Sequence, residues 1–230
     1  MYRREPDRRP DLKDIDQYVY SRDMWPHADV KLTGGPHGMA PEEVQAVQRE
    51  RLLKATVEVV SRKGYAATTV RDLLAASRLS RRTYYDLYGD KEACYLDAFE
   101  VVAGQIETHV IAALETGDSA RERVRLALEG LAGFCVAEPQ AACACLVESL
   151  AAGQAGRGVR ADLIERLAAL IGPALSELRP EDPNPALTAR ATVGGVFELL
   201  YGPLARQDVE RLRELASQIG DLPTVVPAAR

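Results

Sequence analysis

The chain has 230 residues, 47% of them hydrophobic, and a formal net charge of -5. This length suffices for one sizeable core and a small satellite domain, and the negative balance argues against a general polyanion binder. No apolar run approaches the ~18 residues that a membrane helix needs, and the start MYRREPDRRP lacks the apolar core of a signal peptide. We therefore expect a cytoplasmic protein that does not associate with membranes.

Residues 1–40 predict an N-terminal arm that is mostly disordered. They contain four prolines, mixed charge and no helical periodicity, which is typical of a segment that cannot form its own core. A helical pattern then begins at Pro41, a residue suited to the first helical position, and ends at Gly64. The apolar stripe of this helix, from Leu52 to Val60, has to pack on the elements that follow.

The stretch from Thr68 to Lys91, TTVRDLLAASRLSRRTYYDLYGDK, predicts two short helices joined by a tight turn. Thr68 or Thr69 is a good N-cap for the first helix, whose apolar residues recur with helical spacing. Residues 75–79 are expected to form the turn.

Ser80 is expected to cap the second helix, which must be short because Gly89 breaks it and Asp90 caps the next one. Its first turns carry a cluster of basic and hydroxyl-bearing side chains. A short helix with donors in its first turns has the shape and charge to enter a DNA major groove.

The local charge supports this interpretation. Between Arg62 and Lys91 the chain has seven basic and three acidic residues, a local balance of +4 on an otherwise acidic protein. Such a concentration is the electrostatic footprint of a DNA-binding face.

An ordered set of motifs in this region resembles the DNA-binding domain of the tetracycline-repressor (TetR) family. The set comprises Lys63-Gly64-Tyr65, Thr68-Thr69-Val70-Arg71-Asp72, Ser-x-x-Thr-x-Tyr beginning at Ser80, and Asp90-Lys91-Glu92. The resemblance implies that one group of side chains reaches base edges or sugars, namely Arg71, Arg81, Arg82 and Thr83. It implies that a second group holds phosphates, namely Thr69, Ser80, Tyr85 and Lys91.

Three positions depart from the family pattern. Arg78 stands in the turn where the family usually has Gly, so this turn either avoids positive φ or carries strain. Tyr84 replaces a Leu and, as an inward residue, needs room and a partner for its hydroxyl. Leu87 stands where His or an aromatic residue is common.

The N-terminal arm contains four arginines near its start, Arg3, Arg4, Arg8 and Arg9. They could contact DNA or belong to a solvated tail, and the equal number of acidic residues in the arm favours the tail.

The remainder of the chain predicts further helices and no strand, so the expected fold is all-α. A helix is expected from Asp90 to about Leu114, a second from the capping box at Ser119 to about Glu138, and a third over Gln140–Ala152. A loop over Gly153–Gly158 would precede a helix at Val159–Leu178 that Pro173 kinks or splits. A loop over Pro180–Pro185 and two closing helices complete the pattern.

The last two predicted helices suggest a subunit interface. The first of them has one large apolar face and one face of small residues, which indicates neighbours on both sides. A buried helix within one subunit is the alternative, but a single helix-turn-helix makes few base contacts, which favours a homodimer on two half-sites. The residues predicted at the interface are Thr188, Thr192, Gly195, Leu199, Leu212 and Leu215.

A small-molecule effector site is predicted among the helices of the second domain, because TetR-like proteins hold a ligand there. The candidates place aromatic or single polar groups among small apolar residues; they are Phe134, Cys145, Glu148, Phe197 and Tyr201. A hydrophobic ligand of moderate size would fit such surroundings, with a carboxylate to orient it. Alternatively, Glu148 and Glu198 are solvated or paired with arginine.

No catalytic, metal-binding or cofactor motif is present, so we expect neither enzymatic activity nor a cofactor. Cys143 and Cys145 lie two residues apart on a predicted helix and point in different directions, which disfavours a shared metal. All four cysteines, with Cys94 and Cys135, are interpreted as small hydrophobic residues. His109 stands alone and is expected near the surface.

The sequence therefore predicts a TetR-like, ligand-responsive repressor that binds a palindromic operator as a homodimer. The predicted parts are the arm (1–40), a three-helix helix-turn-helix domain (41–90), a helical ligand-binding and dimerisation domain (91–220) and a loose tail (221–230). Two alternatives remain: a thiol- or metal-responsive regulator of the same fold, and a helical protein-binding adaptor without operator binding.

Overall fold

The computed structural model describes residues 24–30 and 39–222, and all regular elements within these ranges are helices. The all-α prediction is confirmed. We number the helices α1 Pro41–Lys63, α2 Val70–Ser77, α3 Arg81–Leu87, α4 Lys91–Thr116, α5 Ala120–Ala137, α6 Pro139–Ala142, α7 Gly153–Leu178, α8 Pro185–Arg206 and α9 Val209–Ile219. Helix α6 continues into a π-helical turn, Cys143–Val147, and a 3-10 turn, Glu148–Leu150. We call α1–α3 the head and α4–α9 the body.

Local side-chain caps begin the helices of the head, as the sequence predicts. The Thr69 hydroxyl accepts the Asp72 N–H at 3.3 Å, while Asp72 accepts the Thr69 N–H at 2.8 Å, which completes a capping box. The Ser80 hydroxyl accepts the Thr83 N–H at 3.0 Å. The Asp90 carboxylate accepts the Ala93 N–H at 2.8 Å and begins α4.

The turn between α2 and α3 is shorter than the predicted residues 75–79, because α2 continues through Ser77. Arg78 then adopts the left-handed conformation, with φ 57° and ψ 29°, and reverses the chain within one residue. The turn therefore has the positive φ that usually favours Gly.

Tyr84 fills the centre of the head. Its side chain is fully buried, and its hydroxyl donates to the Asp90 carbonyl at 2.9 Å, so the predicted partner exists. The neighbouring core residues Leu52, Leu53 and Leu73 are also fully buried. Because the hydroxyl bonds the residue that caps α4, Tyr84 fixes the recognition helix α3 relative to the first helix of the body.

The body is a bundle in which α5 packs between α4 and α9, and α7 packs on α4, α5 and α8. Helix α7 runs unbroken through Pro173 and begins at Gly153, so the predicted loop over Gly153–Gly158 is wrong. A Cβ at Gly156 would lie 2.4 Å from the Ser149 carbonyl oxygen, so Gly allows the first turns of α7 to pack closely against the preceding segment. A Cβ at Gly153 or Gly158 would meet no atom within 4 Å, so of these three glycines Gly156 alone serves close packing.

The predicted helix over Gln140–Ala152 is regular only at its start. The Tyr95 hydroxyl of α4 donates to the Ala144 carbonyl at 2.7 Å, at the beginning of the π turn. A side chain that bonds a helix carbonyl competes with the helix's own hydrogen bonds and distorts it. The π turn contacts α1, α4 and α8, and so connects the head with the middle of the body.

Residues 24–30, predicted as part of a disordered arm, form a turn packed on α1. Met24, Trp25 and Ala28 are buried. Glu50 accepts the His27 N–H at 2.6 Å, and Arg51 donates to the Ala28 carbonyl at 2.9 Å and to the Val30 carbonyl. The arm prediction is wrong for this segment; Arg3, Arg4, Arg8, Arg9 and the tail after residue 222 lie outside the described residues.

Within the described ranges, no single helix has both the length and the hydropathy needed to cross a membrane. Helix α5 and the segment Pro139–Leu150 meet the length and composition criteria only as a pair bent by 105°.

Candidate nucleic-acid interface

The residues predicted to face DNA lie along α2, α3 and the start of α4. Most of them are exposed, namely Thr69, Arg71, Ser80, Arg81, Arg82 and Tyr85, while Thr83 and Lys91 are half-buried. Tyr85 keeps 51% of its surface exposed although it is a large aromatic residue. The exposed set gives the head a surface on which guanidinium, hydroxyl and phenol groups occur together.

The hydroxyl groups of this surface are held in fixed positions by the caps. Ser80 and Thr83 share a hydrogen bond of 2.9 Å between their hydroxyl oxygens. The Thr69 hydroxyl donates to Asp72 at 2.7 Å. Because their rotamers are fixed before any ligand arrives, these groups lose little side-chain entropy on binding.

The carboxylates near this surface do not neutralise its arginines. Lys63 donates to Asp72 at 2.6 Å, and this hydrogen bond, followed by those from Thr69, holds the pKa of Asp72 well below its usual value. Arg82 and Asp86 form only a loose, exposed pair at 3.8 Å. Among the described residues, Arg71 and Arg81 have no hydrogen-bond or ion-pair partner. The surface is therefore positively charged in the free protein.

Lys91 braces the loop between α1 and α2. Its ammonium group donates to the Tyr65 carbonyl at 2.8 Å and to the Thr68 carbonyl at 2.9 Å, and lies 4.1 Å from the centroid of the Tyr65 ring. Burial lowers the pKa of Lys91. Of its three N–H groups, one remains for another acceptor.

Tyr65 also connects the head with the body. The Glu148 carboxylate accepts the Tyr65 N–H at 2.7 Å, and the ring of Tyr65 lies 4.8 Å from the ring of Tyr95. The sequence predicts Glu148 in a ligand pocket, paired with an arginine, or at the surface. The structure uses it instead to hold the loop that leads into α2.

Residues 52–98 match the model of a family described as bacterial regulatory proteins, tetR family. This part of the chain is therefore similar to the DNA-binding domain of the tetR family. The uncharacterized HTH-type transcriptional regulator YezE of Bacillus subtilis (strain 168) is 30% identical over 97 residues, which are 42% of this chain and 49% of that protein. The matches to curated relatives span 20% and 49% of those proteins.

Solved structures extend the likeness in fold to the body. The regulator FadR of Bacillus subtilis, solved in complex with stearoyl-CoA, aligns with a TM-score of 0.67 at 16% identity and covers 76% of this chain and 97% of its own. The fatty acid degradation regulator FadR of Bacillus halodurans aligns with a TM-score of 0.70 at 15% identity, over 86% of this chain and 100% of its own. At such identities the likeness shows a shared fold.

The predicted effector residues have different surroundings. An apolar gap between α1, α4 and the π turn is too narrow for a water molecule, and of the five candidates only Cys145 lines it. Phe134 packs with its ring 5.5 Å from that of His109, and Phe197 lies under Arg160 at 5.2 Å; both phenylalanines are fully buried. Tyr201 is half-buried.

The predicted dimer residues divide into two groups. Leu212 and Leu215 are buried, because the apolar face of α9 packs on α5 of the same chain. Their assignment to the subunit interface is wrong. On α8, Gly195 and Leu199 are exposed, whereas Thr188 and Thr192 are half-buried. Leu187, which the sequence analysis did not single out, keeps 59% of its surface exposed near the start of α8.

All four cysteines are buried and free. Burial raises the pKa of Cys94 and Cys135 to about 12 and that of Cys143 to about 11, and it raises the pKa of Cys145 as well. Thiolate is the reactive species, so these thiols are poorly suited to rapid oxidation in this conformation. Within the described ranges, no three His, Cys, Asp or Glu residues are placed to hold a metal ion.

Proposed function

We propose that this protein is a transcription regulator of the tetR family whose α2–α3 pair binds an operator. The observation that carries the proposal is a group of exposed arginines on this helix pair. Two of them, Arg71 and Arg81, have no hydrogen-bond or ion-pair partner among the described residues. Guanidinium groups without internal partners can replace the counterions of DNA phosphates and can bind guanine edges in a bidentate manner.

Within this proposal the side chains have separate roles. Arg71, Arg81, Arg82 and Thr83 contact base edges or sugars. Thr69, Ser80 and Tyr85 hold phosphates, with the two capping hydroxyls already fixed by their helices. Lys91 contributes its remaining N–H to a phosphate while its other donors maintain the loop before α2.

The test compares two double variants by electrophoretic mobility shift against a palindromic DNA library. Replacement of Arg81 and Arg82 by Ala removes two contacts per protomer and should weaken operator binding by at least about 10²-fold, at about 1–3 kcal/mol per contact. The control replaces Arg121 and Arg206, exposed arginines of the body, and should bind like the parent. Equal binding by both double variants would reject the DNA-binding surface.

We further propose that the protein acts as a homodimer through the exposed face of α8. Leu199 and Leu187 expose 43% and 59% of their surfaces, and Gly195 between them allows close approach of a second backbone. A carboxylate in a paired apolar face is strongly unfavourable. Leu199→Glu should therefore yield a monomer in light scattering, whereas a dimeric variant would exclude this face as the interface.

The proposed regulator is a repressor released by a small hydrophobic effector that enters between the apolar helices of the body. The stearoyl-CoA complex of Bacillus subtilis FadR supports a long-chain acyl thioester as the first compound to test. Phe134, Cys145, Phe197 and Tyr201 are the candidate contacts. Since the gap beside Cys145 is closed, a ligand has to shift the π turn.

The π turn and the following 3-10 turn both contact the head, so a displacement of these turns would also displace the head. Glu148 bonds the Tyr65 N–H, and the Cys143 thiol lies 3.9 Å from the Ser61 carbonyl. A ligand that favours a displaced π turn would favour a displaced head, and by linkage DNA would disfavour the ligand. An effector at one hundred times its dissociation constant adds about 2.7 kcal/mol of stability. A compound that stabilises the protein without releasing DNA is not the effector.

A further inference from the structure

Within the described residues, two residues other than Gly have positive φ. The side chain of one of them forms a hydrogen bond, and the side chain of the other forms none. Arg78 has φ 57° and Gln207 has φ 55°. The left-handed conformation brings the Cβ of an L residue close to the following carbonyl oxygen, so both positions are strained. At Gln207 the side chain makes a compensating contact, because its amide donates to the Ser61 carbonyl at 3.4 Å and links the end of α8 to α1.

Arg78 has no such contact. Its side chain is exposed, and it has no hydrogen-bond or ion-pair partner among the described residues. The backbone has to be left-handed here because the chain reverses between Ser77, the last residue of α2, and Ser80, the cap of α3. Gly or Asn would adopt this conformation at lower cost. Among the described residues, no side-chain contact therefore accounts for an arginine at this position.

The surrounding charge makes the position still less favourable in the free protein. Arg78 lies two residues before the cap of a helix that carries Arg81 and Arg82 in its first turn. Of the nearby carboxylates, Asp72 is bonded to Lys63. A third guanidinium raises the repulsion of this surface, and a polyanion removes that repulsion.

We propose that Arg78 is a further DNA-contact residue, whose guanidinium binds a phosphate beside the start of α3. The proposal rests on the operator-binding function proposed above. A phosphate is the expected partner because Arg78 belongs to the turn and not to the helix that would lie in the groove. The contact would add affinity for every sequence and would fix the position of α3 on the duplex.

An alternative role follows from helix electrostatics, because a cation near the C-terminus of α2 interacts favourably with the helix dipole. The two roles predict different results. A helix-end charge contributes to stability and leaves DNA affinity unchanged. A phosphate contact contributes to DNA affinity and to its salt dependence.

The experiment measures binding of the full chain to a mixed-sequence DNA duplex by fluorescence anisotropy over a range of salt concentrations. Arg78→Gln should weaken binding by about 5- to 10-fold per protomer and reduce the slope of log K against log salt by about 0.9 per lost phosphate contact. Arg121→Gln, which removes an exposed arginine from the body, is the matched control and should behave like the parent.

Arg78→Gly separates strain from binding. Because Gly adopts the left-handed conformation freely, this variant should raise the midpoint of thermal unfolding by about 2–4 °C while it binds DNA as weakly as Arg78→Gln. If both variants keep the parent's affinity and salt slope, Arg78 is not a DNA contact even though the protein binds DNA. If the parent itself shows no salt-dependent binding, the proposed operator-binding function fails and this inference fails with it.

Discussion

The hydrogen bond from the Tyr65 N–H to the Glu148 carboxylate allows the connection between head and body to be measured. The two atoms lie 2.7 Å apart, the acceptor is a side-chain carboxylate oxygen, and the residues are 83 positions apart in the sequence. In Glu148→Ala the Tyr65 N–H loses its acceptor. Tyr65 is buried, so water would replace that acceptor poorly.

The expected loss follows from the type of bond. A hydrogen bond to a charged group contributes about 1.5–3 kcal/mol to stability, so Glu148→Ala should lower the free energy of unfolding by about 2 kcal/mol. For a chain of this size, that corresponds to a decrease in Tm of about 4–8 °C. Glu148→Gln keeps an oxygen acceptor without the charge and should lose about half as much.

Thermal and denaturant unfolding should be compared with hydrogen exchange of the Tyr65 amide. Glu198→Ala, an exposed glutamate on α8, is the matched control and should stay within about 0.5 kcal/mol of the parent. The exchange rate at Tyr65 should rise in Glu148→Ala and remain unchanged in the control. Equal stability of the two alanine variants, or unchanged protection of the Tyr65 amide, would refute the proposed connection.

Three further predictions concern the head. Tyr84→Phe removes the bond to the Asp90 carbonyl and should cost about 1 kcal/mol in chemical unfolding without loss of fold; a neutral result would mean that water replaces the carbonyl's partner. Trp25→Ala should cost about 3–5 kcal/mol, because Trp25 is buried on α1, and a value near zero would show that residues 24–30 do not dock in solution. Asp72 has a folded-state pKa below its unfolded value, so its contribution to the free energy of unfolding is present above pH ~4 and is lost as the pH falls through the folded pKa. Asp72→Asn should therefore reduce the loss of stability at acid pH. An unchanged loss would exclude the pair with Lys63 as its origin.

The elements that could be predicted from sequence are those determined by neighbouring residues. The caps at Thr69, Ser80 and Asp90 join side chains to N–H groups three residues away, so the sequence contains both partners of each bond. The same holds for Pro41 at the start of α1. The observed caps and the start of α1 at Pro41 confirm these signals.

The predictions that failed concern residues whose partners are distant in sequence. The glycines of residues 153–158 favour a loop by propensity, but the segment is helical. Gly156 there packs against the Ser149 carbonyl, a contact that the sequence pattern does not show. Periodicity identified the apolar face of α9 correctly, yet it contains no information on whether Leu212 meets α5 or another subunit. Glu148 was placed on an apolar helix, and its partner at Tyr65 could not be deduced from spacing.

The docked turn at residues 24–30 has a consequence for where the cooperative folding unit begins. Only ten residues separate Val30 from Pro41, and bringing together segments that are close in sequence costs little entropy. The turn therefore adds buried surface to α1 at a small topological cost. A fragment that started at Pro41 would leave Arg51 without its two carbonyl acceptors and would expose the side of α1 that Trp25 covers. We infer that the smallest autonomous head includes residues 24–30, upstream of the residues that match the family model.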